Sequence, residues 1–206
     1  MHAAHLTVRS TRALGLTGAA VLASLALTAC APGSGAATSS TASSSATVKE
    51  YSPPGDIPDD QVFVPYSPPG ADYSLEVPEG WSRSTEGGVV AFTDKLNSIK
   101  IQSGPAAAAP TVASATSQEV PQIEATAANY SAGDVTAVDR KAGKTVLITY
   151  EADSAPEPVT HKVVRDSVER YEFFHHGEEA VLTLSGPVGA DNVDPWRIVS
   201  DSFTWK

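Results

Sequence analysis

Near the end of the chain, Gly189–Arg197 reads GADNVDPWR and brings three oxygen-bearing side chains, Asp191, Asn192 and Asp194, within four positions. Two carboxylates and an amide at that spacing could ligate a cation, or could simply begin a helix. Calcium asks for six or more oxygens and a bidentate acid placed later in the loop, and the spacing of an EF-hand is not present. Helix initiation asks for less. An aspartate at the N-cap accepts hydrogen bonds from free amides, a proline at the first helical position loses no bond, and the carboxylate meets the positive end of the helix dipole. Asp194-Pro195-Trp196 is therefore expected to open a helix with Asp194 as its cap. Gly186, Pro187 and Gly189 shape the loop before it, and turn chemistry accounts for Asp191 and Asn192.

The other chemistry-bearing residues are sparse. His175 and His176 stand beside Glu178 and Glu179 in FFHHGEE, with His161 earlier on the same candidate strand. Adjacent strand residues point to opposite faces, so the two rings are not expected to converge on one zinc ion. The chain has no Gly-x-Ser-x-Gly, no Ser-x-x-Lys, no phosphate loop and no dinucleotide fingerprint. The acid pairs Glu178-Glu179 and Asp59-Asp60 read as solvated loop carboxylates. No catalytic residue, cofactor site or metal site is expected, although an enzyme built on residues outside these patterns stays open as the alternative.

Charge narrows the partners. Fourteen basic residues face twenty-four acidic ones, for a net −10 over 206 residues. Loss of the N-terminal segment would remove Arg9 and Arg12 and no acid. So negative a chain is unsuited to nucleic acid, whose binding needs Lys and Arg to displace counterions, and equally to electrostatic adhesion on anionic lipid.

The N-terminus is an address. Arg9 and Arg12 precede an apolar run from Leu14 to Leu27. Those fourteen residues make about 21 Å of helix against a hydrocarbon core of roughly 30 Å, too short to span and right for a secretory signal. The run ends in Leu27-Thr28-Ala29-Cys30. This resembles the lipobox of bacterial lipoproteins, which implies removal of 1–29 and a diacylglycerol on the Cys30 thiol, with acyl chains of the palmitate type. Cys30 is the only cysteine, so no disulfide competes for it. Two acyl chains are what make such anchoring stable.

Residues 30–61 read as a flexible tether rich in Ala, Ser, Thr and Pro, with too little apolar surface to offset the entropy of ordering. YSPPG occurs at Tyr51–Gly55 and again at Tyr66–Gly70. The Pro-Pro pairs favour an extended polyproline spacer.

Ordered structure is expected over 62–206. Tyr73, Leu75 and Val77 alternate with polar residues as in a half-buried strand. GVVAFTD and NSIKIQSG read as a hairpin around Asp94–Asn97. A helix is expected over Val112–Asn129, either capped by Ser117 with Pro121 in its first turn or longer and kinked at Pro121. VTAVD, KTVLITYEAD, Thr160–His175 and EEAVLTLSG read as strands, the last two joined by a two-residue His176-Gly177 turn. That turn sets Phe173 opposite Ala180 and Tyr171 opposite Leu182. Trp196, Val199 and Phe203 form a helical stripe. The result is an α+β sandwich, an antiparallel sheet flanked by helices.

The Tyr-x-Leu-x-Val-Pro-x-Gly-Trp opening at Tyr73, the β-rich middle and the closing Pro-Trp-Arg…Ser-Phe resemble the PsbP-like fold. That fold is shared by an extrinsic photosystem protein, a nuclear-transport factor and many actinobacterial lipoproteins. The resemblance covers about Val62–Lys206 and implies a sheet with helices on both faces (α/β/α). It implies a binding or assembly role more often than catalysis, and carries no catalytic residue onto a position here. The expectation is a lipoprotein on the outer face of the plasma membrane with a protein partner in the cell envelope. A lipid or cell-wall ligand is a further possibility.

Overall fold

The computed structural model describes residues 53–157 and 159–206. The expected signal peptide (1–29), Cys30 and the expected tether as far as Ser52 lie outside the described residues.

Among the described residues, ten strands and two helical regions follow in order. The strands are β1 (Phe63–Tyr66), β2 (Tyr73–Pro78), β3 (Ser82–Glu86), β4 (Val89–Asp94), β5 (Asn97–Pro105), β6 (Ser131–Arg140), β7 (Gly143–Asp153), β8 (Arg165–His175), β9 (Glu178–Pro187) and β10 (Thr204–Trp205). Between β5 and β6 lie α1 (Val112–Ser114), a π-helical turn (Ala115–Glu119) and α2 (Val120–Thr126); α3 (Val193–Ser202) precedes β10. Seven strands form one antiparallel sheet in the order β3-β4-β5-β9-β8-β7-β6, and three form a second in the order β1-β2-β10. This is the expected α+β class.

The main core fills the space between one face of the seven-stranded sheet, the three-stranded sheet and α3. Ile99, Ile101, Tyr171, Phe173, Leu182 and Leu184 meet Leu75, Val77, Trp196, Val199 and Phe203 there. The expected stripe on the last helix is thus a buried one. Phe203 closes it by stacking on Phe173, with centroids 4.1 Å apart. The opposite sheet face holds a smaller core, Val146 and Ile148 under Ala115, with Val120 and Ile123 packed alongside. The β5–β6 connection must cross β9, β8 and β7 to reach the far edge, and the helical run lies on that path.

The β8–β9 hairpin has the expected register, Phe173 opposite Ala180 and Tyr171 opposite Leu182. Its turn residues both take positive φ, +49° at His176 and +86° at Gly177, as a two-residue turn matching strand twist requires. The β4–β5 hairpin also forms, with Asp94 opposite Asn97.

Four expectations are corrected. The first concerns where packing begins. It starts before Val62, because Ile57 is buried in the main core. An isoleucine in that position gains transfer energy that a flexible tether would forgo. The second concerns the Pro-Pro pairs, which do not form an extended spacer. In both copies the residue after glycine bonds back to the first proline, Asp56 N–H to Pro53 O and Ala71 N–H to Pro68 O, each 3.1 Å. Proline at the second position and glycine with positive φ at the third (Gly55 +100°, Gly70 +79°) are the signature of a type II turn.

The third concerns the first helical run. It is continuous and is capped by Thr111, whose side chain exchanges bonds with Ser114 in a capping box. Ser117 instead bonds to the Ala113 carbonyl. A π turn precedes Pro121, with Val120 N–H reaching Ala115 O. The wider turn relieves the clash a proline ring makes with the carbonyl four residues back. The fourth concerns strand content. β1, β3 and β10 were not expected, and β6 is ten residues long with a bulge between Ala132 and Val135. Every residue of β3 is exposed, so it shows no alternation.

Candidate functional site

The stretch GADNVDPWR divides into three unlike roles. Asn192, not Asp194, occupies the N-cap position of α3: its carbonyl accepts the first helical bond from Trp196 N–H at 3.0 Å. Its side chain caps nothing. It is 2% exposed and faces inward, where Nδ2 donates to Gly55 O and to Asn97 Oδ1, both at 3.0 Å. Its Oδ1 accepts from Ile57 N–H at 2.8 Å, and Asn97 Nδ2 donates to the same Gly55 carbonyl at 2.8 Å. This is a closed polar knot around the entering chain, with each buried donor and acceptor answered, as burial demands. Asp191 donates its backbone N–H to Asp56 Oδ1 at 2.9 Å.

Asp194 lies in the first turn of α3 and makes no side-chain cap. It keeps the favourable position near the helix dipole, and Pro195 still loses nothing because first-turn amides are unpaired. The capping role expected of Asp194 is therefore corrected. The turn chemistry expected of Asn192 is corrected too, because an amide can both donate and accept and so serves two backbone segments at once. Among the described residues no group of three or more His, Cys, Asp or Glu is placed to hold a metal ion.

His176 sits in the expected two-residue turn with positive φ, and its ring meets that of His175 edge to face at 3.9 Å, so the two rings do not point to opposite faces as adjacent strand residues would. His175 also stacks near Trp205, 5.8 Å between centroids.

The strongest electrostatic feature lies elsewhere, on the sheet face beneath the π turn. Arg170 on β8 pairs through Nη2 with Glu119 Oε2 at 3.0 Å and through Nε with Glu172 Oε1 at 3.4 Å. Glu172 is 1% exposed. Burial pushes its carboxyl up to about 7, with Arg170 pulling down and Glu119 and Glu179 pushing further up. Glu179 is itself raised by burial and then by Glu119. It is a strand residue, half-buried, and not a solvated loop acid. Asp166, on the same face of β8, is raised to about 6, mainly by burial; its Oδ1 has no hydrogen-bond partner. The sequence did carry a signal for these groups. Arg170 and Glu172 alternate with Tyr171 and Phe173, which marks the second face of β8, but nothing local says that a helix covers that face.

A second polar network supports α3. Arg140 donates to Tyr171 Oη at 2.9 Å and to Ser200 Oγ at 3.1 Å. It pairs with Asp201 at 3.5 Å. The Tyr171 hydroxyl donates to Glu169 at 2.6 Å, and burial followed by that carboxylate raises its pKa. Alongside this network an open groove of about 520 Å³ runs along α3, bordered by Glu76, Lys141, Asp194, Arg197, Ile198 and Asp201. A smaller open groove of about 270 Å³ lies by Gly87, Gln102 and Glu179.

No protein-family model matches the chain, and no curated protein matches it. Solved structures do. The solution structure of cyanobacterial PsbP (CyanoP) from Synechocystis sp. PCC 6803 superposes with a TM-score of 0.51 at 16% identity, covering 74% of this chain and 98% of that one. A crystal structure from Bacteroides thetaiotaomicron VPI-5482 matches with a TM-score of 0.46 at 14% identity, covering 69% of this chain and 48% of that one. The present chain thus spans about half the length of the Bacteroides protein. The likeness to CyanoP shows the fold: an antiparallel PsbP-like sheet with two helical regions.

Proposed function

We propose that this chain is a lipid-anchored bacterial lipoprotein whose PsbP-like domain acts outside the plasma membrane as a binding or assembly module for another envelope protein. The observation that carries the reading is the groove along α3. It is open, it is bordered by charges of both signs, and it carries the exposed Ile198 between Arg197 and Asp201. Apolar knobs ringed by charge suit a protein partner, while a small-molecule site is enclosed and mostly apolar. The lipobox-like Leu27–Cys30 supports the anchor, and the net negative charge disfavours nucleic acid. The same reading assigns no catalysis. Glu172 and Asp166 have the most strongly raised carboxyls of the described residues, and at 1% and 9% exposure both are out of reach of a substrate.

The test is capture of crosslinked partners from native membranes by the lipidated protein. Arg197→Glu combined with Ile198→Asp should abolish the captured species while leaving the fold and the membrane fraction unchanged. Separately, Cys30→Ser should release the protein or leave it unprocessed. Recovery of Cys30→Ser in membranes at its mature mass would refute the anchor alone, and capture unchanged by the groove variant would refute the groove.

A further inference from the structure

We infer that Glu119, Arg170 and Glu172 form a protonation-controlled latch that holds the helical run Val112–Thr126 against the sheet. Three carboxylates face one guanidinium at this seam: Glu119 from the π turn, Glu172 from β8 and Glu179 from β9, against Arg170 from β8. From β7 the Tyr150 hydroxyl also senses Arg170. From β5, Lys100 acts on Asp166 further along the same face. With every acid ionised the seam carries two uncompensated negative charges, one of them on a group that water does not reach. Burial of an unpaired charge is costly, and the usual outcome is that the group takes up a proton.

A neutral Glu172 leaves Arg170 to Glu119, the one ion pair that joins the helical run to the sheet among the described residues. An ionised Glu172 draws on the same guanidinium and repels Glu119. Its other hold on the sheet is the small apolar cluster of Ala115, Val120 and Ile123 on Val146 and Ile148, in which Ala115 is the one fully buried residue of the run. Ionisation of Glu172 as pH rises through about 7 is therefore relieved by movement of Glu119 and its helix away from the sheet, admitting water. The latch is closed in mild acid and loosened in mild alkali. The inference stands whether or not the chain is lipid-anchored.

Hydrogen exchange read peptide by peptide on the full chain in detergent tests this, with wild type, Glu172→Gln and Glu119→Gln compared at the same pH so that intrinsic exchange rates cancel. At pH 8.5 the segment 112–126 of wild type should exchange at least tenfold faster than that of Glu172→Gln. At pH 6 the two should agree, and Glu119→Gln should be faster than both. A carbon-detected titration of the Glu172 carboxyl in wild type reads the same claim without a variant. Equal protection of 112–126 in wild type and Glu172→Gln at pH 8.5 would overturn the latch, and so would titration of Glu172 near the ordinary carboxylate value.

Discussion

Asn192 Nδ2 donates to the carbonyl oxygen of Gly55 at 3.0 Å, across 137 positions of sequence. The bond fastens the point where the chain enters the domain to the start of the last helix. Gly55 is fitted to the same place, since a Cβ there would lie 2.5 Å from Pro187 Cγ. Loss of the Asn192 side chain would leave Ile57 N–H and Asn97 Oδ1 without these partners, while Gly55 O keeps Asn97 Nδ2; each buried group so unpaired costs ~1–3 kcal/mol. Asn192→Ala should therefore destabilise the domain by about 2–4 kcal/mol in chemical denaturation. Asp194→Ala, which removes only a charge near a helix end, should cost less than about 1 kcal/mol.

The entering segment should contribute to stability. Ile57→Ala deletes a buried side chain, for which ~2–5 kcal/mol is typical, and the low end is expected so near the start of the fold. A chain beginning at Val62 should unfold at a lower denaturant midpoint than one beginning at Ala31. Equal midpoints would mean that the contacts of Ile57 and Gly55 hold nothing.

Gly186 faces the polar knot. A Cβ there would come within 2.9 Å of Asn192 Nδ2 and closer still to Asn97 Oδ1. Gly186→Ala should be destabilising by about 1–3 kcal/mol through overpacking, and Asn97→Ala should remove part of the penalty in the double variant. Additive losses would place the clash elsewhere.

Stability should fall as pH rises from mildly acidic to mildly alkaline. Glu172 rises from 4.5 to about 7 and Asp166 from 3.8 to about 6 on folding. In the window between each pair of values the native state holds the proton more tightly than the unfolded chain, so stability declines with pH. The stabilising effect of each group is complete below its unfolded value and lost as pH passes its folded one. Denaturant midpoints should be higher at pH 5 than at pH 8, and Glu172→Gln should flatten the difference. A midpoint that climbs between pH 5 and 8 in wild type would contradict both shifts.

Added calcium should leave the melting temperature of wild type, Asp191→Ala and Asp194→Ala unchanged, because among the described residues no group of three or more His, Cys, Asp or Glu is placed to hold a cation. A rise in wild type that both variants abolish would restore the metal reading by mass action.

The parts of the fold legible in sequence were those with local periodicity. The β8–β9 register followed from one turn and from alternation on both flanking strands, and the buried stripe of α3 followed from the spacing of Trp196, Val199 and Phe203. What escaped was set by contacts between distant segments. Ile57 is a single apolar residue among prolines and aspartates, and only the meeting of Gly55 with Asn97 and Asn192 turns it into core. β3 has no buried residue, so its pairing with β4 leaves no mark on its pattern. Asp194 satisfied the local rules for a cap, yet the chain placed Asn192 there because that side chain was needed inward. Nothing in the local sequence around Glu172 says that the crossing helix covers its face of β8.

The proposal that the domain binds an envelope partner through α3 is tested most directly by a photoreactive residue placed in turn at Ile198, Glu76 and Arg197, with Val159 and Ser84 as controls, in intact cells. The account predicts one recurrent crosslinked protein from the three groove positions and none of it from the controls. Crosslinking of that protein from Val159 or Ser84 with none from the groove would contradict it.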